Sequence, residues 1–84
     1  MFSHRKDQSE YRAFLKEIGS RLKNRRQELN LTQEGMEGEP FPFLVRDWQN
    51  VEYGRRNITI QTVFKICKKL KIQPGDLMDV KLHL

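Results

Sequence analysis

Apolar residues recur at steps of four and three from Tyr11 through Leu15 and Ile18 to Leu22, then after a double step at Leu29, with Phe14 beside them. That spacing fits one face of a long helix and no strand, so the first third of the chain must bury a single stripe against something else. The pattern predicts a helix over 8–29, with Lys16, Lys23, Arg25 and Glu28 facing water. Asp7 is placed to cap it, Glu10 three residues later to return the bond, and Asn30 to end it in the left-handed conformation. Residues 1–6 read as a frayed start.

The rest of the chain repeats the theme in shorter pieces. Thr32 is a candidate cap for a second helix over 33–38, kept short by Gly35, Gly38 and Pro40. GEPFPF reads as a turn, because Pro40 and Pro42 disfavour helix at the residues before them. Leu44, Val45, Trp48 and Val51 then recur at helical spacing, predicting a third helix over 44–52 that stops before Gly54, a turn glycine suited to positive φ. Thr59 or Asn57 caps a fourth over 60–70, with Val63, Ile66, Cys67 and Leu70 inward and Lys65, Lys68 and Lys69 on the polar side. Pro74 opens a fifth over 74–80, with Leu77, Met78 and Val80 on its apolar face. The expectation is an all-α protein of five helices, one domain over 1–84.

Several function classes are excluded or weakened. No apolar run approaches the roughly 20 residues that span a bilayer, and MFSHRKDQSEYR lacks the apolar segment of a signal peptide, so a cytoplasmic protein without membrane partners is expected. Cys67 is the only cysteine, which rules out an internal disulfide and a cysteine-built zinc site; its setting reads as core. There is no nucleotide-binding glycine loop, no HExxH and no nucleophile–base constellation, so neither an enzyme nor a cofactor or metal is expected. Sixteen Lys and Arg against eleven Asp and Glu give a net charge of +5, which favours polyanionic partners, nucleic acid first.

Four segments in order, IGSRLKNRRQELNLTQE, VRDWQNVEYGRRN, TIQTVFKICKKLKI and QPGDLM, resemble the lambda-repressor-like helix-turn-helix DNA-binding domains of the Cro and Xre type, over residues 18–79. The resemblance implies a repressor-like transcription regulator whose third helix reads double-stranded DNA. It puts Val45 and Arg46 at the first exposed positions of that helix and Asn50 at a later base-contacting one. Arg can fork onto guanine and Asn onto adenine, and a Val can touch a thymine methyl. Asp47 either orients Arg46 or repels the wrong base; Gln49 shares the polar side. Gln33 falls where family members bond a phosphate, and Arg55 and Arg56 where they meet the backbone or groove edge. Arg26 and Glu52 align with a semi-buried ion pair that joins the first and third helices. The plain alternative for Arg46, Asp47, Gln49 and Asn50 is an ordinary solvated face.

The likeness departs from the family in two places. The stretch from Gln33 to Glu52 is one residue longer than usual, so Glu37 or Gly38 stands where an alanine normally permits close packing, and Leu44 where Ser or Thr caps the helix. Phe41 and Phe43 are expected to pack on the core and set the angle instead. The first helix is also extended: Tyr11 and Phe14 either cover the core against the fifth helix or join Leu77, Met78, Val80 and Leu82 in a dimer interface. A homodimer is expected, since two-fold pairing doubles a weak half-site. Alternatives are an antitoxin-type accessory regulator whose KLHL tail grips a protein partner, or a protein–protein interaction module with the same fold.

Overall fold

The structure, a computed structural model, describes residues 5–38, 44–82 and 84. Its helices are α1 (Arg5–Glu28), α2 (Val45–Glu52), α3 (Ile60–Leu70) and α4 (Pro74–Leu77), with a 3-10 turn at Glu34–Met36 between the first two. Among the described residues there is no β-strand, as expected for an all-α protein. The count differs from the expected five because the second segment never closes an α-helical turn. Thr32 Oγ accepts the Gly35 N–H at 3.1 Å, but the cap position of the turn is Gln33, whose side chain makes no cap bond, and Gly38 has already turned to φ +85°. Two glycines in four residues leave little to hold a longer helix against its entropy cost. Met36 is nonetheless fully buried and anchors the turn in the core.

The other boundaries follow from local chemistry. α1 starts at Arg5, so Asp7 lies inside its first turn rather than capping it, where its charge suits the helix dipole. The predicted left-handed Asn30 is present at φ 58°; its N–H bonds the Gln27 carbonyl at 2.9 Å and Leu31 N–H reaches Arg26 O at 3.0 Å. Thr59, not Asn57, caps α3 by accepting the Thr62 N–H at 3.1 Å. Lys71 closes that helix at φ 53°. α4 begins at Pro74 as expected but lasts one turn, because Val80 leaves the helical path to pack half-buried against the core.

One core serves all these elements: Ile18 and Leu22 of α1, Met36, Trp48 and Val51 of α2, Val63, Ile66, Cys67 and Leu70 of α3, and Leu77. Phe14, Leu29, Leu31, Ile58 and Ile72 pack around it. Burying a side chain of this size stabilises by about 1.5–3 kcal/mol, so six that are wholly enclosed dominate the fold. Leu44, expected in the buried stripe, instead precedes α2 and is exposed. The packing assigned to Phe41 and Phe43 lies outside the described residues. No helix is long and apolar enough to cross a membrane among the described residues.

Close packing of α1 on α2 does not come from Glu37 or Gly38. Glu37 is exposed, and a Cβ on Gly38 would meet nothing within 4 Å. Gly19 performs it: a Cβ there would lie 2.3 Å from the Glu52 carbonyl oxygen. Gly54, at φ +71°, would bring a Cβ to 2.6 Å from the Lys16 nitrogen. The backbones of α1 and the end of α2 therefore touch at two glycines, which sets how far α2 stands out from the domain.

Candidate nucleic-acid interface

α2 is anchored through Trp48, Val51 and Glu52, all buried. At about 100° per residue these three cover one side, and Arg46 and Asn50 lie diametrically opposite. Arg46 is exposed and makes no ion pair with a described residue; Asn50 is half-buried. Val45 and Gln49 lie on the flank toward the 3-10 turn, and Asp47 on the other.

A buried polar cluster holds this orientation. Arg26 Nε donates to Glu52 Oε2 at 2.6 Å and Nη2 to Oε1 at 3.3 Å, with the side chains 8% and 1% exposed. Arg26 Nη1 also donates to the Leu31 carbonyl at 2.7 Å. The Trp48 indole N–H donates to Glu52 Oε2, and Gln33 Nε2 donates to Glu52 Oε1 at 3.1 Å. No buried side-chain nitrogen or oxygen among the described residues lacks a partner. The Arg26–Glu52 pair expected between the first and third predicted helices is thus present, in a richer setting than the spacing implied. The tryptophan four residues before the glutamate was the signal for the indole bond, since that spacing places both on one helix face.

The remaining expected contact residues divide into tied and untied groups. Gln33 sits just before the 3-10 turn, and its side-chain Oε1 accepts from Gln49 Nε2 at 3.0 Å, so the two amides brace the flank of α2. Asp47 does not meet Arg46. Its Oδ2 accepts the Leu44 N–H at 3.1 Å and its Oδ1 accepts from Arg56 Nη1 at 2.8 Å, so it caps α2 and holds the following loop. Arg56 is correspondingly half-buried. Arg55 is exposed and lies over the Tyr53 ring, 5.1 Å from its centroid.

Sequence reasoning missed three structural contacts around the site. Glu37 Oε1 accepts the Val45 N–H at 2.9 Å, a second carboxylate at the start of α2 eight residues away in sequence. Arg25, expected in water, donates to the Leu70 and Lys71 carbonyls at 2.9 and 3.0 Å and so caps the end of α3. Arg21 reaches the Asp76 carbonyl at 3.1 Å. Arginines 21, 25 and 26 therefore clamp three segments onto α1, and part of the positive charge serves the fold. No sequence periodicity marks such contacts, because they depend on where distant carbonyls end up.

Burial pushes the Cys67 thiol above its ordinary value of 9.0. No group of His, Cys, Asp and Glu that could hold a metal occurs among the described residues. No family model matches the chain, and no curated protein or solved structure matches it either.

Proposed function

We propose that this is a sequence-specific double-stranded DNA-binding regulator of the lambda-repressor-like helix-turn-helix class, acting in the cytoplasm as a homodimer and without catalysis. The observation that carries the reading is the division of α2: Trp48, Val51 and Glu52 are locked inward by packing and hydrogen bonds, while Arg46 and Asn50 project from the opposite side. A helix in the major groove must be held rigidly by one face and offer donors and acceptors on the other. The ordered resemblance over 18–79 and the net charge of +5 support the same reading. On it, Arg46 and Asn50 choose bases, Val45 makes an apolar contact at the helix start, and Arg55 meets the backbone. Gln33, Gln49, Asp47 and Arg56 then hold α2 in place, whatever further contact they make with DNA. Selection of bound sequences from a random duplex pool at a stated salt concentration tests it: a palindromic consensus is the expected result, and recovery of unenriched sequence sinks the proposal.

A second reading, a protein–protein interaction module or accessory regulator with the same fold, is favoured by one specific feature. The start of α2 carries two carboxylates, Glu37 and Asp47, at the end that would approach phosphates. Failure to shift any duplex at low salt, together with co-purification of a second small protein, would select this alternative.

A further inference from the structure

The charge on α1 is segregated by face. Arg5, Arg12, Lys16 and Lys23, at intervals of seven, four and seven, fall within about 40° of one another around the helix. All four are exposed. The helix carries its acids elsewhere: Asp7, Glu10, Glu17 and Glu28 point at least about 100° away from the centre of that stripe. Glu17 and Glu28 are paired there with Arg21 and Arg25. An ordinary solvated face mixes signs, as the opposite side of this helix does.

From Arg12 to Lys23 the stripe forms one wall of a groove of about 530 Å³ whose other wall is the turn leaving α2; Arg5 lies outside it. Arg12, Lys16, Ser20 and Lys23 line one side, and Tyr53 and Arg55 the other. Glu52 borders the floor, but its carboxylate is directed into the core toward Arg26, Trp48 and Gln33. Because Tyr53 is the residue that ends α2, the groove opens where that helix stops, three residues beyond Asn50.

We infer that this cationic groove holds the sugar–phosphate backbone of duplex DNA, extending the contact beyond α2; the inference rests on the DNA-reading role proposed above. From Arg12 to Lys23 the stripe runs roughly 16 Å along the axis, the rise of about five base pairs of duplex. Hydroxyl and guanidinium donors at Ser20, Tyr53 and Arg55 suit phosphate oxygens. An anionic membrane is the poorer fit, since a surface-bound amphipathic helix needs a free apolar face and that of α1 is already buried through Ile18 and Leu22.

The test measures fluorescence-anisotropy affinities for a pool-selected duplex and a scrambled one across a salt series. Four proteins are compared: wild type, R12Q/K16Q/K23Q, R55Q, and the charge-matched control K65Q/K68Q/K81Q. The groove triple variant should melt as wild type does and lose about 2–3 from the log–log salt slope, with its preference for the selected duplex retained. R55Q should lose about 1, and the control should keep the wild-type slope. Selective binding by wild type with an unchanged slope in the groove variants would overturn the groove and leave the α2 reading intact. Equal binding of both duplexes by wild type, with the slope falling only in the groove variants, would support the groove while sinking the α2 reading. An equal fall in the control, or vesicle binding without duplex binding, would overturn the inference.

Discussion

Arg26 of α1 and Glu52 of α2 face each other inside the protein, joined by two N–H···O bonds at 2.6 and 3.3 Å, with Trp48 and Gln33 donating to the same carboxylate. Removing the guanidinium alone strands a buried carboxylate, so Arg26→Ala should cost about 3–5 kcal/mol. For a small domain that is a large share of total stability. The double variant R26M/E52L removes both charges but leaves the Trp48 and Gln33 donors without their acceptor, so it should lose less than the sum of the two single variants while still being destabilised by about 1–3 kcal/mol. Urea unfolding followed by the fluorescence of Trp48, the only tryptophan, reads both; equal losses in the two variants would show that packing rather than charge dominates.

Gly19 and Gly75 make opposite cases. A methyl at Gly19 meets the Glu52 carbonyl at 2.3 Å with only backbone nearby to give way, whereas at Gly75 nothing lies within 4 Å. Gly19→Ala should therefore lower stability by at least about 1–3 kcal/mol despite the better helix propensity of alanine. Gly75→Ala should be neutral or stabilising by up to about 1 kcal/mol. Thermal melts of the two variants should move in opposite directions or differ clearly in size.

These residues also show what could be read in the sequence. The buried positions of α1 and α3 were legible because a 3.6-residue repeat leaves a trace in any chain that buries a helix face. The ends at Asn30 and Thr59 were legible because each needs a particular residue chemistry. The second helix was overestimated: Gly35 and Gly38 shorten it as expected, but they reduce it to a 3-10 turn and not to a short α-helix. The inward side of α2 was legible from Trp48 and Val51. The tying of Asp47 to Arg56, and of Gln33 to Gln49, was not, because both pairs arise from how separate segments are brought together. Gly19 was missed for the same reason: a glycine inside a helix gives no sign of the backbone it lies against.

Arg46 is exposed on the side of α2 opposite its packing contacts, so its loss should leave the fold within about 0.5 kcal/mol of wild type, whereas loss of the half-buried Asn50 should cost about 1 kcal/mol. On the DNA-reading role, Arg46→Ala and Asn50→Ala should each relax base preference at a single operator position, by about 1–3 kcal/mol of discrimination. Competition binding against a panel of single-base operator variants measures this. A profile that weakens uniformly would mark these residues as backbone contacts instead.

Asp47 has two structural partners, the Leu44 N–H and Arg56. Asp47→Ala removes a cap and should destabilise by about 0.5–2 kcal/mol. It also deletes a negative charge beside the reading face, so affinity for all duplexes should rise without a change in preferred sequence. Denaturation and binding measured on the same variant separate the two effects, and a change in preferred sequence would return Asp47 to a direct reading role.

Cys67 is 5% exposed on the inner face of α3, and burial raises its pKa because the thiolate would lose its hydration. The unfolded chain therefore releases this proton at lower pH than the folded one. Below the unfolded thiol's pKa, both states hold the proton and stability is unaffected; above it, the unfolded state gains and unfolding becomes easier as pH rises toward the folded pKa. Stability should thus decline on the alkaline side of the ordinary thiol range, and Cys67→Ala should remove that component of the slope while lowering stability at neutral pH through the lost volume. Urea unfolding of both proteins at neutral and alkaline pH checks the sign. The same burial should make Cys67 react slowly with a thiol reagent in the native protein and quickly in denaturant; rapid native reaction would mean that α3 opens far more readily than its fully buried neighbours Ile66 and Leu70 imply.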